Sequence, residues 1–264
     1  MAINTEDQQG KAITIIMAGN TFGVSLGLPF MTFIGIEIGW RTAFIVLGVT
    51  GASIALLVAK HLPSVKGEEL TQSNSPLAML KIPAVLIVLL LTFLSVVAHY
   101  NTYTYIALLV ETLVFVGGIS LALLIFDIGS VVSVMLSTKV IDTHLRSLIV
   151  GMLVCGTVAM LLFAISGGSN GISHLAFFLW GLAFGPLVTM YQAAVSKQVV
   201  HAKAVATSVQ SSVFNFSIMM ATWIGGSVLI NMPHAGVYGI VYLSIICFVP
   251  AIIIAFIANK SLCS

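Results

Sequence analysis

From Ser147 to Ile165 the chain runs through 19 residues without one charged side chain. A stretch of that length and character reaches across the hydrocarbon core of a bilayer, which takes about 20 apolar residues as a helix. It is one of eight. The others fall at about 13–36, 42–60, 82–106, 116–138, 173–195, 205–231 and 236–258, with this one spanning 147–166. Eight such runs on short connections predict an all-α membrane protein, because within lipid a spanning segment must satisfy its own backbone polar groups. Composition agrees: 59% of the 264 residues are hydrophobic and 7% charged, against about 25% charged in soluble domains.

Charge placement sets the expected orientation. With the N-terminus inside, Lys11, Lys60, Lys66, Lys81, Lys139, Arg146, Lys197, Lys203 and Lys260 lie on the cytoplasmic side, and only Arg41 lies outside. The expectation is a multi-pass protein of the cytoplasmic (inner) membrane with both termini cytoplasmic. Met1–Gly10 is polar and lacks the pattern of a cleaved signal, so the first apolar run is expected to direct the chain to the membrane. The net charge of +2 forms no basic cluster, and nucleic acid is not expected as a partner.

The connection from His61 to Lys81 is the long one, with Lys66-Gly67-Glu68-Glu69 and Thr71-Gln72-Ser73-Asn74-Ser75-Pro76. It divides the chain into residues 1–62 with two spans, a cytoplasmic linker over 63–81, and residues 82–264 with six. Lys11 and Lys203 open two spans at corresponding places. Asn20 and Gly23 in one match Ser212 and Asn215 in the other at a constant displacement. A span pair recurring at the end of two bundles is the pattern of parallel-repeat transporters. Six spans plus two then imply about four further helices ahead of Met1.

Gly19, Gly23 and Gly27 stack on one helix face, where another backbone can approach closely. Asn20 lies beside that face, and Pro29 removes a backbone donor and can kink the helix. Gly181-x3-Gly185-Pro186 reads as helix packing too. Cys155, Cys247 and Cys263 are scattered, and neither a disulfide, a metal site nor a cofactor is expected. The sequence offers no phosphate-cradling glycine loop and no nucleophile–base–acid set, so an enzyme is not expected.

The run Gly10-Lys11-Ala12, Gly23-x3-Gly27-Leu28-Pro29, Gly35 and Gly39-Trp40-Arg41-x2-Phe44 resembles the fifth helix and following turn of major facilitator superfamily transporters. The branch it resembles is that of drug:proton antiporters and sugar (arabinose) efflux permeases. Ala98-His99-Tyr100-Asn101-Thr102-Tyr103-Thr104-Tyr105-Ile106 is similar to the aromatic end of the seventh helix in those proteins. Gly129 with Asp142-Thr143-His144-Leu145-Arg146 resembles the eighth helix and its loop, and Trp180-Gly181 the tenth. The eight spans then correspond to helices five to twelve. Met31, Leu108 and Asp127 depart from the family pattern, which commonly has Gly, Pro and a small residue there.

The resemblance implies a secondary transporter that exports a small solute, sugar or drug-like, by proton antiport with alternating access. The alternative is a truncated or split transporter, inactive without an N-terminal partner. Asp127 lies near the middle of its span, where an ionisable group costs at least about 2.5 kcal/mol and usually faces the interior or a cavity. His99 can carry a proton near neutral pH. Tyr100 and Tyr103 lie beside it on the helical wheel and could present rings and hydroxyls to a solute, whereas Tyr105 reads as an interface residue. Asn20, Gln192 and Asn215 are amides within apolar runs, able to bind a solute hydroxyl or a neighbouring helix. Glu37 and Glu111 are expected at the outer ends, in water.

Overall fold

A computed structural model describes residues 27–61, 75–167, 169–199 and 202–258. The chain divides into two compact units, Met1–Glu68 and Glu69–Ser264. The division falls inside the expected linker.

In the first unit α1 covers Leu28–Glu37 and α2 covers Trp40–His61. Pro29 sits in the first turn of α1, which directly follows Gly27, whose backbone is itself helical at φ −67° and ψ −42°. Gly39 makes the turn at φ +121°, a left-handed value that a side chain rarely adopts. Trp40 then opens α2. The Arg41 guanidinium lies 4.4 Å from the Trp40 ring centroid, a cation–π contact, and the Phe44 ring meets Trp40 edge-on at 6.0 Å. The Gly39-Trp40-Arg41-x2-Phe44 run is thus a turn followed by a locally stacked helix start. Lys60 and His61 close α2, where cations favour the helix C-terminus.

The second unit begins with the short α3 (Pro76–Met79), capped by the Ser75 hydroxyl, which accepts from the Ala78 N–H at 3.2 Å. Then come α4 (Pro83–Tyr103), α5 (Ile106–Thr112), α6 (Gly118–Ser137), α7 (Ile141–Ile165), α8 (Asn170–Phe184), α9 (Leu187–Lys197), α10 (Lys203–Asn231) and α11 (Gly236–Ile257). Among the described residues all regular structure is helical. Among the described residues, seven segments are long and apolar enough to cross a membrane: α2, α4, α6, Thr143–Ile165 within α7, α8 with α9, α10 and α11. They coincide with seven of the eight expected spans. The eighth, 13–36, lies largely outside the described residues, as do Gly19, Asn20 and Gly23.

Two expected spans are interrupted. The 173–195 run breaks at Gly185-Pro186, where proline cannot donate into the helix. The 82–106 run stops at Tyr103, tightens through a Tyr105 N–H to Thr102 carbonyl bond of 3.2 Å, and resumes as α5.

In the second unit α4 packs against α10, α11 and α9, while α8 packs between α6 and α7. The α6–α8 contact is made backbone to backbone. A Cβ built on Gly181 would overlap the Phe126 carbonyl, and one on Gly129 the Phe178 carbonyl. At Gly185 it would lie 2.5 Å from the Ser130 carbonyl oxygen. Small residues permit this approach, and packing of that kind holds membrane helices together where hydrophobicity cannot. The Gly181–Gly185 pair is therefore a packing surface, as its spacing suggests. A Cβ on Gly27 would meet nothing within 4 Å.

Candidate functional site

The C-terminal half of α4 and the turn after it carry polar residues in three directions, and each finds a different neighbour. Asn101 and Thr102, both fully buried, turn toward α11. Asn101 Nδ2 donates to the Ile240 carbonyl at 2.9 Å and to Ser244 Oγ at 3.3 Å. The Thr102 and Ser244 hydroxyls share a hydrogen bond of 2.8 Å. Tyr105 turns toward α10. Its hydroxyl donates to the Thr222 carbonyl at 2.8 Å and its ring fills the space left by Gly225 and Gly226. It pins two segments of the unit together. One turn further in, the Ser95 hydroxyl donates to the Leu91 carbonyl at 2.6 Å, so Tyr191 of α9 donates to Ser95, also at 2.6 Å.

The third direction belongs to His99, 2% exposed. Its imidazole lies against Phe184 at 3.4 Å between centroids, Tyr100 at 5.0 Å, Trp180 at 5.2 Å, Tyr103 at 5.3 Å and Phe126 at 5.8 Å. These rings come from α4, α6 and α8, and the close α6–α8 approach at Gly181 brings the Phe126 and Trp180 rings within 5.2 Å. Offset and edge-on ring pairs contribute about 0.5–1.5 kcal/mol each beyond burial. His99 Nδ1 and Trp180 Nε1 are buried and find no hydrogen-bond partner among the described residues. Tyr100, Tyr103 and Phe184 are only partly buried and form the open side of the cluster.

Asp127, adjacent to Phe126 on α6, is exposed on this unit and lies within electrostatic reach of Tyr103. The arrangement is a ring platform with a buried imidazole beneath it and a carboxylate at its edge. It can stack a flat ring or the apolar face of a sugar, and it can take up a proton at the carboxylate.

His99, Tyr100 and Tyr103 are therefore in mutual contact, and Asp127 stands near them. The amides are elsewhere. Asn215 is exposed and bonds its own helix at Ser211 (2.8 Å). Gln192 is half-buried on α9. Asn20 lies outside the described residues. Glu37 and Glu111 are exposed. Sequence reasoning missed Phe126, Trp180 and Phe184 as members of the cluster, and it missed Gln210. This amide is fully buried on α10 with both polar atoms unpartnered among the described residues. A polar residue inside an apolar run was the available signal for Gln210 and Asn101.

A bundle of long apolar helices held by glycine contacts is the architecture of a multi-pass membrane protein. The family model of the Major Facilitator Superfamily matches residues 2–222, and the chain belongs to that superfamily. It is 28% identical over 246 residues to a probable sugar efflux transporter of Mannheimia succiniciproducens, covering 91% of this chain and 60% of that protein. It is 26% identical over 223 residues to the purine ribonucleoside efflux pump NepI of Salmonella paratyphi B and of Salmonella enteritidis, covering 84% of this chain and 56% of each pump. The chain thus spans less than two thirds of the length of these relatives.

Proposed function

We propose that the chain works in a secondary transporter that exports a small solute from the cell in exchange for protons. The likeness to sugar and purine ribonucleoside efflux proteins supports export, and both named solutes suit a platform of rings with hydroxyls nearby. The observation that carries the reading is the joining of His99, Tyr100 and Tyr103 with Asp127 close by. In this account residues 1–62 supply the last two helices of an N-terminal bundle, 63–81 a cytoplasmic linker, and 82–264 the six-helix C-terminal bundle. Both termini are cytoplasmic in the inner membrane.

The solute stacks on Tyr100, Tyr103 and Phe184. A proton on Asp127 removes the cost of presenting a bare carboxylate to a low-dielectric path, and so biases which way the bundles open. His99 is the second candidate to hold that proton. Gln192, Asn215 and Asn20 are secondary candidates for solute hydroxyls.

Everted membrane vesicles carrying the chain test this. An inward-acid proton gradient should drive uptake of a monosaccharide or a purine ribonucleoside. Asp127→Asn and His99→Gln should each abolish the gradient dependence, and undiminished coupling in both variants would sink the proton role. The partial coverage of the relatives favours a second reading, in which transport needs a partner supplying the remaining helices. Uptake that appears only when such a segment is made alongside the chain would establish that reading over independent transport.

A further inference from the structure

A cavity of about 270 Å³ opens at the other end of the second unit from the aromatic cluster, lined by Arg146, Ser147, Val150, Gly151 and Phe256. Its walls are the second and third turns of α7 and the last turn of α11. We propose that this cavity is a binding site for an anionic phospholipid of the surrounding bilayer.

The level is right for a headgroup. Both walls are the ends of long apolar helices, so the cavity sits where the hydrocarbon gives way to the polar interface. The charge is right as well. A guanidinium stays protonated in proteins, and this one is held in place: Nε donates to the Ala255 carbonyl at 3.2 Å and Nη2 to the Phe256 carbonyl at 2.6 Å. Those carbonyls end α11, so Arg146 both caps a helix and brings a fixed cation to the cavity. Ser147, exposed beside it, adds a hydroxyl for a phosphate oxygen. Up-and-down passage of the spans brings Lys81, Lys139, Lys197 and Lys203 to the same end of the bundle. Basic pockets between helices at a membrane face are where anionic headgroups settle.

The rest of the lining suits the tail. Val150 and Phe256 are apolar, and Phe256 is 56% exposed. Gly151 leaves open space, since an added Cβ would meet nothing within 4 Å. An acyl chain can run along that gap while the phosphate stays with Arg146.

Native mass spectrometry of the full chain, released from detergent with equimolar phosphatidylglycerol and phosphatidylcholine, tests the proposal. The wild type should retain one phosphatidylglycerol in preference to phosphatidylcholine. Gly151→Leu fills the gap without touching the helix cap, so it should keep its thermal stability and lose the preference. Arg146→Gln should weaken phosphatidylglycerol about fivefold, the loss expected for one basic side chain at an anionic surface, and Arg146→Lys should lose less. No preference in the wild type, or full preference in Gly151→Leu, would overturn the site. Competition by glycerol 3-phosphate as effective as that by the intact lipid would overturn the lipid assignment and leave a soluble anion as the ligand.

Discussion

The imidazole of His99 lies flat on the ring of Phe184, with centroids 3.4 Å apart and planes 7° from parallel. The pair joins α4 to the end of α8, one residue before the Gly185-Pro186 break. It separates two roles of one side chain, because stacking needs a flat ring and proton exchange needs nitrogen. His99→Phe retains the first and removes the second. It should fold with stability within about 1 kcal/mol of wild type, since the stack is kept and an unpartnered buried nitrogen is removed. Its vesicles should have lost gradient-driven uptake. Thermal unfolding in detergent and vesicle uptake read the two effects apart. Phe184→Ala removes both the stack and a ring of the solute platform, so it should lower stability and uptake together.

Backbone contact between α6 and α8 gives a second expectation. Gly181→Ala would drive a methyl group into the Phe126 carbonyl. Overpacking typically costs about 1–3 kcal/mol, and here rigid backbone must yield, so the loss should reach the upper end of that range. Gly171→Ala on the same helix meets open space and should be neutral or slightly stabilising, because alanine is the better helix former. Unfolding curves of the two variants side by side test the contact. Equal stabilities would refute it.

The polar contact between α4 and α11 should be measurable as a coupling. Thr102→Val and Ser244→Ala each remove one end of the 2.8 Å bond. A double-mutant cycle should return about 0.6 kcal/mol and not more than about 1.7, the range for hydrogen bonds between membrane helices. Asn101→Leu should cost more than either, because it removes two donated bonds, to the Ile240 carbonyl and to Ser244 Oγ, and adds bulk opposite Gly225.

Gln210 makes the opposite prediction. Its amide is fully buried, with both polar atoms unpartnered among the described residues. An unmet buried polar group costs about 1–3 kcal/mol. Gln210→Met keeps the length and removes the unmet atoms, so it should raise the unfolding temperature. A lower unfolding temperature would mean that the amide is satisfied in the membrane, by water or by solute.

The spans were legible because length and hydropathy alone decide them, and runs such as Ser147–Ile165 have no competing reading. The contact partners were not. Gly181 and Gly185 announce a close approach by spacing, yet only the folded bundle shows that Phe126 and Ser130 fill it. His99, Tyr100 and Tyr103 share a helix, and the wheel placed them together. Phe126, Trp180 and Phe184 come from other helices, and no local pattern connects them to His99. The partner of Tyr105 was not legible either, because it lies on a distant helix. Here the facing Gly225-Gly226 pair, 120 residues later, opens a slot for its ring. The Gly19–Pro29 stretch suggested a packing face, but most of it lies outside the described residues.

The most direct measurement of the central claim uses Trp180, which lies 5.2 Å from His99 and 6.0 Å from Tyr103 between ring centroids. With Trp40 and Trp223 replaced by Phe, Trp180 is the remaining tryptophan, since the chain has three. Its emission in the full chain, titrated with a purine ribonucleoside and with a monosaccharide, reports on the ring cluster whether or not the chain transports by itself. A saturable change with at least one of the two solutes, lost in Tyr103→Ala, is the expected result. Emission that ignores both solutes, or an equal change in Tyr103→Ala, would contradict the assignment of the solute site to these rings.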